Sequence, residues 1–454
     1  MDLIARLRAA LGEDAVRTGA EIPARNRTDG TAKESMEPLA LILPRTAADV
    51  SVALALCHEA GQPVVPQGGM TGLVDASRPG RGEVAISLER MNGIEEVDPV
   101  SGTITALAGT PLEVIQKAAE SAGMMVGIDL GARGSCTIGG NVATNAGGNS
   151  VLRFGMTRAN VRGLEAVLAD GRVVRSTSKM VKNNTGYDWT QLMIGSEGTL
   201  GIVTRVTLTL HPRPAAVATA LAMVRDTTTA LTLLRDLWAR LPGGLLVFEA
   251  MWKEIYAIAT GKQGLSAPFA ATDAVYLLIE APETGPEGTA LLEALHANME
   301  AGLILDAAIA QSEADRKRFW ALRESIYTHD RIFPKTIGFD VSFPLDRIAE
   351  AVEHLRTRIE AEFPQTPWVV FGHLADCNLH VNIMAGAAAQ KQAETLVYGL
   401  VGELGGSVSA EHGIGRTKAP YLHLTRSPEE LQLMAEIKKA LDPKGILSPG
   451  RVLA

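Results

Sequence analysis

The chain has 454 residues, which is more than one hydrophobic core usually supports, so we expect two or three domains. Its hydrophobic fraction of 46% and charged fraction of 21% are typical of a globular protein. The net charge of −8 argues against nucleic acid or an anionic membrane surface as a partner, and charges interrupt every apolar run before it could span a bilayer. Three widely separated cysteines argue against a disulfide framework and predict a reducing, cytoplasmic location.

The first 210 residues combine short apolar segments with glycine-rich loops. Their periodicity predicts a helix near the N-terminus, strands at 39–43, 63–66, 84–98 and 102–108, helices at 47–60 and 111–123, a hairpin at 160–175 and a strand that ends at 210. The strand–helix–strand order at 39–66 is typical of a βαβ-like unit. It leads into the glycine loop 67–72, whose successive N–H groups could converge on a diphosphate.

A second, longer glycine-rich stretch covers residues 129–155 and contains seven glycines with many Ser, Thr and Asn residues. Glycine lets the backbone adopt positive φ and approach a ligand closely, and the small polar side chains add hydroxyl and amide groups. We therefore expect a loop without helical structure that wraps a large, phosphate-bearing cofactor. A glycine-rich surface loop without a ligand is the alternative.

Three glycine segments fall within 140 residues of one another: 67–72, 131–148 and the spaced glycines of 195–201. None has the G-x-G-x-x-G spacing of a Rossmann fingerprint, and no P-loop sequence occurs. A conventional NAD or P-loop site is therefore disfavoured. One extended ligand touched three times, such as a dinucleotide, explains the three loops better than three unrelated turns.

The sequence His211-Pro-Arg-Pro214 marks the clearest boundary in the chain. Beyond it the pattern predicts strands at 216–224, 245–251, 274–281, 338–343, 367–373 and 380–383, alternating with helices at 226–241, 287–301, 311–328, 345–363 and 386–404, before a last helix at 430–441. This α+β pattern with an antiparallel sheet predicts a second domain. The predicted division is 1–210, 211–408 and a C-terminal segment 409–454.

Two histidine motifs carry the most informative chemistry in the second half. His373 and His380 lie in the run HLADCNLHVN, and Glu411 and His412 follow about thirty residues later. Two imidazoles and a carboxylate suit a divalent transition metal with open positions for substrate, and His412 could act as a base. Structural histidines remain the alternative.

Three further residues have two interpretations each: Cys136 in the long glycine-rich stretch, Cys377 in the first histidine motif, and Arg323. Cys136 and Cys377 are better explained as small side chains in crowded loops than as catalytic thiols. Arg323 is either a surface charge on a helix or a bidentate clamp for a substrate carboxylate.

Taken together, the motifs PxGGxTGL, TIGGNVATNAGG, GSEGTLGIVT, GHLxDxNLHxN and EHGIG, in this order over residues 36–452, resemble a family of flavoproteins. It is the flavin-dependent 2-hydroxyacid dehydrogenase family of the vanillyl-alcohol oxidase and p-cresol methylhydroxylase type. The chain resembles the branch of D-lactate dehydrogenases, glycolate oxidase subunits and D-2-hydroxyglutarate dehydrogenases. The resemblance implies an α+β fold: a two-part FAD-binding domain, a cap domain with an antiparallel sheet that bears the substrate site, and a C-terminal segment that returns to the flavin.

The resemblance also implies roles for individual residues. Non-covalent FAD is expected, because the first loop lacks the histidine of covalently flavinylated relatives. The implied FAD contacts are Pro66, Gln67, Gly68, Gly69, Met70, Thr71, Gly72, Asp129, Ser135, Thr137, Gly139, Gly140, Asn141, Ala143, Thr144, Gly148, Glu197, Gly198, Gly201 and Ile202. The implied metal ligands for zinc or manganese are His373, His380 and Glu411, the implied base is His412, and the implied substrate contacts are Arg323, Tyr327 and Asn382.

The implied reaction is oxidation of a D-2-hydroxy acid, with the metal binding the carboxylate and 2-hydroxyl, His412 taking the proton and hydride passing to flavin N5. Reoxidation would use an electron-transfer protein, a cytochrome or a quinone, and a homodimer is expected. Gly338 and Tyr327 stand where the 2-hydroxyglutarate enzymes carry lysine and threonine, which favours a longer or more apolar acid. The rivals are a flavin oxidase that uses O2 on another alcohol and a non-catalytic FAD-binding subunit of a larger complex.

Overall fold

A computed structural model of the chain describes residues 2–31, 33–241, 243–283, 290–333 and 336–453. Contacts between residues divide the chain into two compact units: residues 1–213 with 411–454, and residues 214–410. Among the helices of the described ranges, none is both long and apolar enough to cross a membrane. The assignment of domain roles to 1–210, 211–408 and 409–454 stays a prediction.

Among its described residues, the first unit begins with ten strands and seven α-helices. The strands are β1 Val16–Arg17, β2 Ala40–Ile42, β3 Val64–Gln67, β4 Val84–Ser87, β5 Ile94–Asp98, β6 Thr103–Leu107, β7 Met124–Val126, β8 Val161–Val167, β9 Val173–Ser176 and β10 Ile202–Pro212. The helices are α1 Leu3–Leu11, α2 Ala47–Ala60, α3 Leu112–Ser121, α4 Ile138–Thr144, α5 Val151–Phe154, α6 Thr157–Asn160 and α7 Thr190–Met193.

The second unit follows, and one more helix completes the first. The strands of the second unit are β11 Val217–Val224, β12 Val247–Trp252, β13 Val275–Pro282, β14 Asp306–Ile309, β15 Ile337–Ser342, β16 Trp368–His373 and β17 Asn378–Ile383. Its helices are α8 Thr227–Arg240, α9 Lys253–Ala257, α10 Ala290–Glu300, α11 Glu313–Arg323, α12 Ile348–Glu362 and α13 Gln390–Glu403. The C-terminal segment contains α14 Pro428–Leu441.

The first unit contains two sheets. One has the order β1-β2-β4-β3, with β2, β4 and β3 parallel; the other is antiparallel, has the order β5-β6-β10-β8-β9, and pairs β7 with β10. Helix α2 contacts β8, and both sheets contribute to one hydrophobic core. Ile446 and Leu447 from the C-terminal segment belong to this core, so the two ends of the chain fold as one unit.

Helix α2 shows why the local pattern at 47–60 was sufficient to predict a helix. Thr46 caps its first turn by accepting a hydrogen bond from the Asp49 N–H, and Gly61 ends it in the left-handed conformation with φ of 64°. The residues spaced for one face, Val50, Ala53, Leu54 and Cys57, are all buried. The predicted bounds are confirmed.

The expectation that 129–155 contains no helix is wrong. Residues Ile138–Thr144 form α4 in spite of two adjacent glycines. A side chain at Gly139 would place its Cβ 2.6 Å from the Ala108 Cβ, and the Gly139 N–H donates to the Ala108 carbonyl at 2.8 Å. Glycine therefore serves here to let a helix lie directly against a neighbouring segment, and this contact offsets its low helix propensity.

The second unit is built on one antiparallel sheet of seven strands in the order β14-β11-β13-β12-β16-β17-β15. The predicted antiparallel α+β arrangement is confirmed. Helices α9 and α11 pack on one face of the sheet, through a core that includes Ile255, Phe319, Met251 and Leu278. Strand β14 and helix α9 were not predicted, and the start of the helix expected at 287–301 lies outside the described residues.

Candidate functional site

The first two glycine loops lie against each other in the first unit. A side chain at Gly69 would overlap the Ser135 carbonyl, and a Cβ at Gly68 would lie 2.7 Å from Thr137 Oγ1. Only glycine permits this approach. The sequence predicted both loops, and the structure brings them together.

The third glycine segment joins the same group. The Glu197 N–H donates to the Ala143 carbonyl at 2.7 Å, and Gly198, with φ of 74°, leaves no room for a Cβ beside the Pro66 ring. Gly201 and Ile202 continue this segment into β10. The three segments expected to share one ligand are therefore neighbours within one unit.

Several polar groups at this junction have no protein partner among the described residues. The backbone N–H groups of 68–72 donate to no described acceptor, and Met70 in that loop has φ of 61°. Thr137 Oγ1 is buried and unpartnered. Buried polar groups are normally hydrogen-bonded, so the Thr137 hydroxyl, beside the unpaired N–H groups of a partly exposed loop, fits an anionic ligand such as a dinucleotide diphosphate.

The remaining predicted cofactor residues lie around this junction. Asp129 pairs its backbone with Gly148 in a parallel bridge and its carboxylate with Arg133 at 3.0 Å. Thr144 Oγ1 donates to the Gly140 carbonyl at 3.1 Å within α4. Asn141 lies buried in the same helix, and Thr71 and Gly72 lie in the first loop beyond Gln67.

Glu197 has a role that sequence reasoning missed. Its side chain is buried, and its two oxygens accept the Ile414 and Gly415 N–H groups, each at 2.7 Å. Burial raises the pKa of the Glu197 carboxyl above its ordinary value, against the lowering effect of these two hydrogen bonds. The carboxylate therefore fixes the segment after His412.

Glu411, the acid of the EHGIG motif, forms a hydrogen bond with the long glycine-rich stretch. Glu411 Oε2 accepts the Gly148 N–H at 2.7 Å, and its Oε1 lies 3.8 Å from His412 Nε2. Both side chains are partly exposed. The first unit thus holds the predicted base next to the end of the predicted cofactor loop.

Replacing Gly69 by alanine should disrupt the loop junction. The new Cβ would overlap the Ser135 carbonyl, so we expect the free energy of unfolding to fall by about 1–3 kcal/mol and the flavin bound per chain to fall with it. Flavin absorbance and thermal unfolding measure both. Gly399→Ala is the matched control, because nothing lies within 4 Å of a Cβ there. Wild-type flavin content and stability in Gly69→Ala would contradict the argument.

In the second unit, strand pairing places the histidine motif on one face of the sheet. Directly paired residues of antiparallel strands share a face, as do residues two apart on one strand. The pairs are Glu249 with His373, Phe371 with His380, His380 with Asp340, and Asn382 with Gly338. The His373 and His380 rings have centroids 5.6 Å apart at an interplanar angle of 74°. The two predicted imidazoles and Asn382 are therefore brought together.

A buried carboxylate joins the predicted clamp to the first histidine. Glu249 Oε2 accepts from Arg323 Nε at 2.5 Å, and its Oε1 contacts His373 Nδ1. The Arg323 guanidinium also lies 4.7 Å from the Phe371 ring centroid. Burial alone would raise the pKa of Glu249, but the charges of His373 and Arg323 outweigh it and hold that pKa far below its usual range.

Arg323 is therefore not a surface charge. Its side chain is only 6% exposed, although α11 as a whole is strongly polar. Among the described residues Glu249 alone accepts its hydrogen bonds, through Nε, so the two terminal amino groups can still bind an anion. Tyr327, by contrast, is 71% exposed.

Asp340 is a second acid that the sequence reasoning did not assign. It is buried opposite His380, accepts from Asn378 Nδ2 at 2.9 Å, and accepts from Ser409 Oγ at 3.3 Å. Asp340 and Glu249 share one sequence signal, a single acid inside an otherwise apolar strand. Such an acid needs a partner when it is buried, and that signal could have found both.

Gly338 faces the predicted substrate residue Asn382. A Cβ at Gly338 would lie 3.1 Å from Asn382 Oδ1.

Burial raises the pKa of both Cys136 and Cys377, which disfavours the reactive thiolate. Cys377 has φ of 71°, a conformation that glycine adopts more easily.

The chain is similar to known flavoproteins and dehydrogenases along most of its length. Residues 38–177 match the model of an FAD binding domain, and residues 213–452 match that of the C-terminal domain of FAD linked oxidases. The D-2-hydroxyglutarate dehydrogenase of Bos taurus mitochondria is 41% identical over 419 residues, covering 91% of this chain and 76% of that protein. The D-2-hydroxyglutarate dehydrogenase of Xanthomonas citri pv. viticola is 36% identical over 433 residues, covering 93% and 91%.

Among solved structures, p-cresol methylhydroxylase with substrate bound matches with a TM-score of 0.76 at 17% identity, covering 99% of this chain and 96% of that one. This likeness shows a p-cresol methylhydroxylase-type fold. The chain therefore belongs to the FAD-linked oxidases and is an FAD-dependent oxidoreductase, similar along most of its length to dehydrogenases that act on a CH–OH donor.

Proposed function

We propose that the protein oxidises a D-2-hydroxy acid to the 2-oxo acid, with non-covalent FAD and a divalent metal ion, zinc or manganese. The observation that carries the proposal is the sheet face with His373, His380 and Asn382 beside the buried Arg323. It combines metal-ligating and carboxylate-binding groups in a chain of a flavoprotein family. The relatives named above, which are D-2-hydroxyglutarate dehydrogenases, support the same reaction class.

FAD would be held by the three joined glycine loops of the first unit. The unpaired N–H groups of 68–72 and the buried Thr137 hydroxyl supply donors for a diphosphate. When bound, the flavin supplies the two-electron redox chemistry that no amino-acid side chain can perform. The protein binds, orients and shields the reacting groups.

The metal would be held by His373, His380 and Glu411. Two imidazoles with one carboxylate are a ligand set that suits zinc and leaves positions open. The contact between His373 Nδ1 and Glu249 supports this assignment, because metal-binding histidines commonly donate their second ring N–H to a carboxylate. A bound divalent ion would polarise the 2-hydroxyl and lower its pKa.

His412 would accept the hydroxyl proton, and Arg323 and Asn382 would hold the substrate. Imidazole accepts protons efficiently near pH 7. Arg323 offers its terminal amino groups to the substrate carboxylate, while Asn382 offers an amide from the same sheet face. Gly338 opposite Asn382, together with Tyr327, favours an acid with a longer or more apolar side chain.

The proposal also includes a cytoplasmic location and a homodimer. The electron acceptor would be an electron-transfer protein, a cytochrome or a quinone.

Anaerobic bleaching of the flavin band with a panel of D- and L-2-hydroxy acids, with and without chelator, tests the proposal. We expect bleaching by a D-acid, loss of bleaching on chelation, and recovery with zinc or manganese. Peroxide production at the rate of turnover in air would indicate an oxidase instead. No bleaching by any acid would indicate a non-catalytic FAD-binding subunit or another class of alcohol.

A further inference from the structure

We infer that Glu249 is a positioning residue that sets the tautomer of His373 and the orientation of Arg323 at once. The inference rests on the proposed metal role of His373 and adds a residue to which no role has been assigned. Glu249 lies on β12, directly opposite His373 on β16, and 74 residues before Arg323. One carboxylate therefore serves two functional side chains from two other elements.

The chemistry of the three groups fixes the hydrogen positions. An ionised carboxylate only accepts hydrogen bonds, and a guanidinium only donates them. With Oε2 engaged by Arg323 Nε, Oε1 is left to accept from His373 Nδ1. His373 must then carry a proton on Nδ1, so that in the neutral ring the lone pair that can bind a metal ion is on Nε2.

The burial of the group makes this control strong. Side-chain exposure is 2% for Glu249, 6% for Arg323 and 8% for His373, so water does not compete effectively for these contacts. Phe371 lies beside the Arg323 guanidinium and the His380 ring on the same face. The His373 ring therefore has little freedom to choose another partner for Nδ1.

Glu249→Gln separates the two functions of the carboxylate without changing its shape. The amide oxygen must turn to Arg323, which has only donors, and the amide NH2 group then faces His373 Nδ1. Nδ1 becomes an acceptor, the ring proton moves to Nε2, and the metal-binding lone pair is lost. We expect metal affinity to fall by about 10- to 100-fold while Arg323 stays in place.

The matched control is Glu280→Gln. Glu280 is also a buried acid of this sheet, but its partners are Arg316, Trp320 and Thr219. Its replacement removes a buried carboxylate without touching His373 or Arg323. It should leave metal affinity within about twofold of wild type, whatever it does to stability.

The experiment is zinc binding by the FAD-loaded protein in competition with a chromophoric chelator, for wild type, Glu249→Gln and Glu280→Gln. A 10- to 100-fold loss in Glu249→Gln alone supports the inference, whereas wild-type affinity in Glu249→Gln overturns it. Absence of tight zinc binding by the wild type would overturn the proposed metal site itself, and with it this role. The two failures are therefore distinguishable.

A second measurement needs no variant at position 249, so its result does not depend on whether Glu249→Gln folds. Ring 15N chemical shifts of labelled wild-type protein without metal report which His373 nitrogen carries the proton, and the signal is identified by its absence in His373→Asn. A proton on Nδ1 is expected. A ring that carries its proton on Nε2 and none on Nδ1 would overturn the inference.

Discussion

His412→Ala should abolish flavin reduction by substrate while the protein keeps its FAD. Loss of a positioned general base slows proton transfer by about 10²- to 10⁴-fold, and no other part of the proposed chemistry replaces it. FAD should stay bound because the glycine loops join through backbone contacts of 66–69, 135–143 and 195–198, in which His412 has no part. Stopped-flow bleaching under anaerobic conditions gives the rate, and the absorbance spectrum gives the flavin content.

His423→Ala is the matched control for this variant. His423 is an exposed histidine of the same unit, eleven positions further along the chain, and its removal should leave the bleaching rate unchanged. Bleaching of His412→Ala at the wild-type rate would remove the residue from the mechanism. Loss of FAD from His412→Ala would instead assign it a part in cofactor binding.

His380→Gln should lose the metal ion and most of the activity but retain FAD. A metal that polarises the 2-hydroxyl contributes several kcal/mol to the transition state, so we expect the bleaching rate to fall by about 10³-fold. The glycine loops all belong to the first unit and His380 to the second, so flavin content should not change. Metal content by elemental analysis and flavin bleaching measure the two effects separately.

Chelator treatment of the wild type should reproduce the phenotype of His380→Gln, and added zinc or manganese should reverse it in the wild type only. His354→Gln provides the control, because His354 is an exposed histidine on α12 of the same unit. A wild type that bleaches fully in excess chelator, with no metal detected, would refute the metal part of the mechanism. The flavin chemistry would then depend on His412 and Arg323 alone.

The sequence by itself determined the elements that depend on local interactions. Helix α2 was predicted with its observed bounds because its cap, its apolar spacing and its terminal glycine all lie within sixteen residues, 46–61. Most strands and helices of the second unit followed from their periodicity in the same way. The family resemblance likewise rests on short motifs whose order is visible in the chain.

The tertiary structure alone decided which of those motifs meet and what partners they have. Local propensity opposes helix α4, because the helix contains two adjacent glycines. The packing of Gly139 on Ala108, which only the fold supplies, offsets that cost. Glu249 looked like an isolated acid in an apolar strand, because its partners are 74 and 124 residues away. Glu197, which the resemblance implies as a cofactor contact, also holds Ile414 and Gly415, more than 200 residues away. Burial makes each pairing energetically necessary, and burial is a property of the folded chain rather than of any segment.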